Sequence, residues 1–303
     1  MQNMKRRGGI LATTTALALT LAACGSGEAD EGGAAATGPE GAEPITIGIH
    51  SGWEEGIAVS YLWEHILTEA GYEVELETAD AGVVFTGLAQ GDYDVNFDTW
   101  LPLTHAKYLE QYGDDLEELG MWLEEAPLTI AVNEDAPIDS IAELKENADL
   151  FGNRIVGIES GAGLTAQVQN EVIPTYGLED MEFAISSTPA MLAELEAATE
   201  AGENIAVTLW EPHWAYDAYP IKNLEDPEGA LGEPDDIFTY GTKGFSEEYP
   251  QVAEMIGNFT MEADQLHALE NIMFNENGGE DPAASVDAWL EENPDALSGL
   301  GIE

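Results

Sequence analysis

The chain has 303 residues, 44% of them hydrophobic, enough for two domains with real cores. Eight basic residues against 60 acidic ones give a formal net charge of −52, which excludes charge-driven binding of DNA or RNA and docking on anionic lipid. The single cysteine excludes a disulfide framework and a cysteine-rich zinc site.

The chain opens with Lys5, Arg6 and Arg7, followed by an apolar and small-residue run from Ile10 to Leu21 and then Ala22-Ala23-Cys24. A positive patch, a short apolar stretch and small residues before a cut make residues 1–24 a secretion signal, too short for a comfortable membrane span. The string Leu21-Ala22-Ala23-Cys24 resembles a bacterial lipobox, and the only cysteine in the chain falls where lipidation is expected. Acyl chains on Cys24 would hold the protein at the membrane with about 0.8 kcal/mol per buried CH₂. Residues 25–43 are small and acidic, almost free of large apolar groups, and read as a tether. Beyond the signal only Lys107, Lys145, Arg154, Lys222 and Lys243 are basic. The acids are scattered, with no D-x-D-x-D-G loop, so they point to a surface adapted to high salt and not to a calcium store.

The body alternates strands and helices. Ile45 to Ile49 alternates and is bounded by Pro44 and Ser51-Gly52, a strand. Ile57 to Ala70 has helical spacing and stops at Gly71. Tyr72 to Leu76 is a second strand, Val83 to Gln90 a short helix ending at Gly91, Tyr93 to Phe97 a third strand, and Leu101 to Tyr112 a helix. Leu128 to Val132 is a strand, and Ser140 to Ala148 a helix with Ser140 as N-cap. Arg154 to Ile158 is a strand running into Gly161-Ala162-Gly163-Leu164, followed by a helix from Thr165 to Tyr176. Met191 to Ala201 is helical, Ile205 to Leu209 a strand, Ile237 to Tyr240 extended, and Tyr249 to Leu300 three helices. No internal repeat is visible. Two batches of βα alternation imply an α/β protein of two lobes with a ligand cleft between them.

Trp53, Trp100 and Trp210 each fall just past the carboxyl end of a predicted strand, beside Gly or Pro turns, where α/β folds place their ligands. Trp63, Trp122 and Trp289 read as core or cover. A lone tryptophan is ordinarily core, but three at equivalent strand ends suggest a cage. Indole faces attract cations, and a quaternary ammonium has no N–H for ordinary hydrogen bonding. Three faces contribute roughly 2 to 6 kcal/mol. A micromolar site needs about 8 kcal/mol, so a second hold, such as one on a carboxylate, is required.

Trp53-Glu54-Glu55-Gly56, Asp80-Ala81-Gly82, Trp100-Leu101-Pro102-Leu103-Thr104-His105, Trp210-Glu211-Pro212-His213-Trp214 and Lys243-Gly244-Phe245-Ser246 together resemble the glycine betaine substrate-binding proteins of osmoprotectant ABC importers. The resemblance covers most of residues 45–260. It implies a type II periplasmic-binding fold, with lobe one at 45–127 plus 240–303 and lobe two at 128–239. It implies a prism of Trp53, Trp100 and Trp210 around a trimethylammonium group. It also implies a hold on the ligand carboxylate by His105 and by the backbone amides of Gly163 and Leu164. A glycine loop at a helix start, with free N–H groups, suits that last role. His213 and Trp214 are expected to pack behind Trp210. Glu54-Glu55 stand where relatives often have Asp-Ser, and an extra carboxylate at the cage would suit a cation with a weaker acid or none, such as choline.

The expected protein is therefore an extracytoplasmic, lipid-anchored, monomeric binding component that captures glycine betaine or proline betaine and delivers it to a membrane permease. Choline or carnitine binding, or a non-transport sensor lobe, is the alternative. No enzyme activity, cofactor, metal or nucleic-acid partner is expected. There is no G-x-S-x-G and no H-E-x-x-H, and the five histidines are spread along the chain.

Overall fold

A computed structural model describes residues 43–300. The signal, Cys24 and nearly all of the 25–43 tether lie outside the described residues.

Two five-stranded sheets organise the chain. The first has the order β2 (Val74–Ala79), β1 (Ile45–His50), β3 (Val95–Leu101), β10 (Asp235–Thr242), β4 (Leu116–Ala126), and the second the order β7 (Glu182–Ala184), β6 (Arg154–Val156), β8 (Ala206–Trp210), β5 (Leu128–Asn133), β9 (Ile221–Asn223). In the first, β1 lies between β2 and β3, all parallel. The late strand β10 runs antiparallel between β3 and β4. The second sheet repeats this plan. There β6 lies parallel between β7 and β8, and β5 runs antiparallel between β8 and β9. The topology thus repeats although the sequence does not.

Burial follows position in the sheet. Central β1 is almost wholly buried, as a strand covered on both faces must be, whereas edge strand β2 turns Glu75 and Glu77 to solvent. Helix α1 (Glu54–Glu69) ends where Gly71 takes positive φ, with Gly71 N–H donating to Thr68 O and Tyr72 N–H to Leu67 O, both at 2.9 Å. Tyr72 thus completes the helix end, and β2 begins later than the alternation at Tyr72 suggests.

Other differences have equally local causes. The helix expected from Leu101 starts only at Ala106, because β3 runs through Leu101 and a turn follows; α2 (Ala81–Gln90) and α3 (Ala106–Tyr112) flank that strand. The helix expected over 140–148 is reduced to a single 3₁₀ turn, Ile141–Glu143, with Ser140 and Glu143 forming a capping box. Ile141 N–H goes instead to Glu225 O at 3.0 Å, and Glu225 N–H to Asp139 O. Strand β4 was not anticipated: its acids and Gly120 hide the alternation, and its pairing with β10 carries several register shifts.

Trp63, Trp122 and Trp289 are core. Trp63 stacks on Phe97 at 4.9 Å, and Trp122 Nε1–H donates to Phe97 O at 2.8 Å. Among the described residues no helix is long and apolar enough to cross a membrane.

Candidate functional site

Trp53 caps the start of α1 directly after β1, Trp100 lies at the end of β3, and Trp210 ends β8. Trp100 and Trp210 occupy matching places in the two sheets, and each is followed by one residue and a cis proline, Leu101-Pro102 and Glu211-Pro212. These three tryptophans, His105, Gly163 and Leu164 line one cavity, together with Glu55, Thr104, Leu128, Ile158 and Ala162. The six residues singled out from sequence are therefore brought together.

His105 is locked to Trp100 in both directions. Its backbone N–H donates to Trp100 O at 2.9 Å, and its ring Nδ1 accepts Trp100 N–H at 2.9 Å. A proton on Nε2 follows from that assignment. Burial, helped by the neighbouring His50 and Lys107, holds the imidazole well below its usual pKa, so the ring is neutral. Nε2 is buried without a partner, and the ring stacks on Trp53 at 5.4 Å and 12°. An N–H donor on the cavity wall, beside an aromatic face, is what a ligand carboxylate next to a cation requires. The turn that carries His105 is held by buried Asp235, which accepts Leu103 N–H at 2.6 Å and Thr104 N–H at 2.9 Å.

Across the cavity, α4 (Gly163–Gln167) starts after Ala162 and continues through a π turn, Val168–Val172, into Ile173–Tyr176. The first N–H groups of a helix have no intrahelical acceptor, so those of Gly163 and Leu164 are open to an anion.

Acidic side chains support the indoles. Trp100 Nε1–H donates to Asp98 Oδ1 at 2.7 Å, Trp210 Nε1–H to Glu55 Oε2 at 2.9 Å, and Trp53 Nε1–H to Glu159 Oε2 at 3.4 Å. Glu54, Glu55, Asp98 and Glu270 are all buried. Burial pushes Asp98 up to about 7, against the pull of its bond to Trp100. Burial, with the charges of Asp98, Glu270 and Glu54, raises Glu55 well above the usual carboxylate range. Glu270 is raised likewise, by burial first and then by Glu54 and Asp98. Behind Trp210, His213 meets the indole edge-on at 4.8 Å, accepts Ala215 N–H on Nδ1 at 3.0 Å, and turns Nε2 to Glu54 at 3.3 Å. Trp214 stacks on His213 at 5.8 Å.

Sequence reasoning missed Asp98, Glu159 and Glu270. Asp98 was accessible, since residues two apart in a strand share a face and Asp98 precedes Trp100 by two. Glu159 and Glu270 come from other parts of the chain and leave no local signal. Among the described residues no group of three His, Cys, Asp or Glu side chains is placed to hold a metal ion.

Residues 43–292 match the family model for the substrate binding domain of ABC-type glycine betaine transport systems. The chain belongs to this family. The glycine betaine/carnitine transport binding protein GbuC of Listeria monocytogenes is 33% identical over 165 residues, 54% of this chain and 53% of that protein. The matched stretch thus spans about half the length of the Listeria protein. The crystal structure of the glycine betaine/L-proline-binding protein ProX from Borrelia burgdorferi aligns with TM-score 0.77 and 26% identity, over 84% of this chain and 95% of that one. Lactococcal OpuAC, closed on glycine betaine, aligns with TM-score 0.78 and 25% identity, over 86% of this chain and 100% of that one. This substrate-binding domain shares the two-lobed α/β fold of those structures, with one sheet in each lobe and the cavity between them.

Proposed function

We propose that this chain is the extracytoplasmic binding component of an ABC importer, capturing a quaternary-ammonium solute and delivering it to a membrane permease without catalysing a reaction. The observation that carries the reading is the joint lining of one cavity by three indoles, an unpartnered imidazole N–H and a helix start. The indoles of Trp53, Trp100 and Trp210 surround the methylated cation. His105 Nε2–H and the amides of Gly163 and Leu164 hold the carboxylate. Glycine betaine and proline betaine carry both groups at short separation, and the relatives named for glycine betaine support the choice. Lobe one comprises residues 45–127 and, since β10 joins the first sheet from Asp235 and not from the expected 240, the chain from Asp235, with lobe two the segment between and the ligand bridging them and favouring closure.

Calorimetric titration with glycine betaine, proline betaine, carnitine and choline tests this. Saturable one-to-one binding of a betaine is expected, and absence of saturation with every quaternary ammonium overturns the reading. Glu55 on the cavity wall favours choline as the second reading, because a bare cation stabilises the ionised form of this raised carboxyl whereas a ligand carboxylate beside it would oppose ionisation.

The sequence supports a lipid anchor at Cys24, a tether over 25–43 and a surface suited to high salt, and we propose a monomeric state. Cys24→Ser is expected to release the protein from membranes while leaving ligand affinity intact. Retention in the membrane fraction would contradict the anchor.

A further inference from the structure

Two of the three indole N–H bonds cross the cleft, and they do so reciprocally. Trp53 leaves β1 on the first lobe and donates to Glu159, which follows β6 on the second lobe. Trp210 ends β8 on the second lobe and donates to Glu55, in the first turn of α1 on the first lobe. Only the Trp100–Asp98 bond stays within one strand. Each crossing acid is also fixed on its own lobe. Glu159 accepts Thr188 N–H at 2.7 Å and Thr188 Oγ1–H at 3.0 Å, and Glu55 is held within α1.

We propose that Glu159 and Glu55 are positioning residues that seat the facing lobe's cage tryptophan, so that the two cage walls lock together on closure and the pair of bonds sets the rate of ligand release. The proposal rests on the quaternary-ammonium reading above. An indole N–H buried at a closed cleft with no acceptor loses its hydrogen bond and keeps the desolvation cost. The acid across the cleft removes that cost only when the lobes meet. Opening must break both bonds before the ligand can leave, whereas encounter with the open form does not involve them. The bonds therefore act on dissociation and hardly on association.

The test uses the intact chain, tetramethylammonium and glycine betaine as probes, and stopped-flow tryptophan fluorescence. Glu159→Ala is expected to raise the dissociation rate about 10-fold, the loss expected for one charge-assisted hydrogen bond, with association changed by less than about 3-fold. Glu159→Gln, which keeps one acceptor oxygen but turns its N–H₂ toward either Trp53 Nε1–H or Thr188 N–H, should fall between wild type and Glu159→Ala. Trp53→Phe keeps a ring and removes the N–H, so in that background Glu159→Ala should add nothing. The same pattern is expected for Glu55→Ala with Trp210→Phe. Additive effects in either cycle, or a change confined to association, would overturn the proposal. Failure of the wild-type chain to bind either probe would instead sink the functional reading on which it stands.

Discussion

Gly163 packs directly on the backbone of Thr104 across the cleft: a Cβ placed on the glycine would overlap the Thr104 carbonyl oxygen and lie 2.6 Å from its Cγ2. The two residues belong to the two halves of the carboxylate hold, since Thr104 precedes His105 and Gly163 opens α4. Gly163→Ala is therefore expected to keep the halves apart. Affinity for a betaine should fall about 10- to 100-fold, the range for forcing an extra methyl into a packed contact. The melting temperature without ligand should stay near wild type. Calorimetry and thermal melts read the two quantities separately.

The cage and the core should separate cleanly by mutation. Trp100→Ala or Trp210→Ala removes one face and admits water, costing roughly 1 to 3 kcal/mol of binding, or about 5- to 150-fold. Trp63→Ala, in the core against Phe97, should instead cost about 3 to 5 kcal/mol of stability and leave affinity per folded molecule nearly unchanged.

His105 should matter for carboxylates and not for simple cations. His105→Ala is expected to weaken glycine betaine by more than it weakens choline, read by titrating both ligands against both proteins. Because the imidazole is held neutral by burial, the contribution of His105 should not titrate near pH 6.5, the ordinary histidine range.

The buried acids make the ligand-free fold sensitive to pH. Asp98 moves from an ordinary 3.8 up to about 7 in the folded chain, and Glu55 and Glu270 move in the same direction. A carboxyl raised on folding favours the folded state fully below its unfolded pKa. That advantage is lost as pH rises through the folded value. Stability of the ligand-free protein should thus decline between about pH 4 and pH 7 on account of these groups, and Asp98→Asn should flatten the decline. A bound cation favours the ionised acids, so affinity should rise over the same interval with protons released on binding. Calorimetry in buffers of different ionisation enthalpy counts those protons, and proton uptake would contradict the account.

The net charge of −52 predicts a salt-dependent fold. Raising NaCl from low to molar concentration should raise the melting temperature as self-repulsion is screened. An unchanged melting temperature would contradict a salt-adapted surface.

Much of this was legible in the sequence because it is local. Strand ends marked by tryptophan beside Gly or Pro are visible as strings, and the string from Trp100 to His105 carries its own geometry, since the two residues bond to each other. What escaped is long-range. Glu159 reaches Trp53 across 106 positions and Glu55 reaches Trp210 across 155, so no periodicity announces them. Strand β4 escaped for a different reason: a strand pairing irregularly with one late partner needs no strict alternation.

The place of β10 bears on the order in which the molecule can be made. All five strands of the second lobe lie in one unbroken stretch from Leu128 to Asn223, so that lobe can complete its sheet as soon as it leaves the ribosome or translocon. The first lobe cannot. Strand β4 pairs only with β10, and until Asp235–Thr242 has emerged it stands unzipped, with β3 presenting an open edge beside it. The half bearing Trp53, Trp100 and His105 is therefore the later to mature, and the cleft itself is the last feature to be assembled.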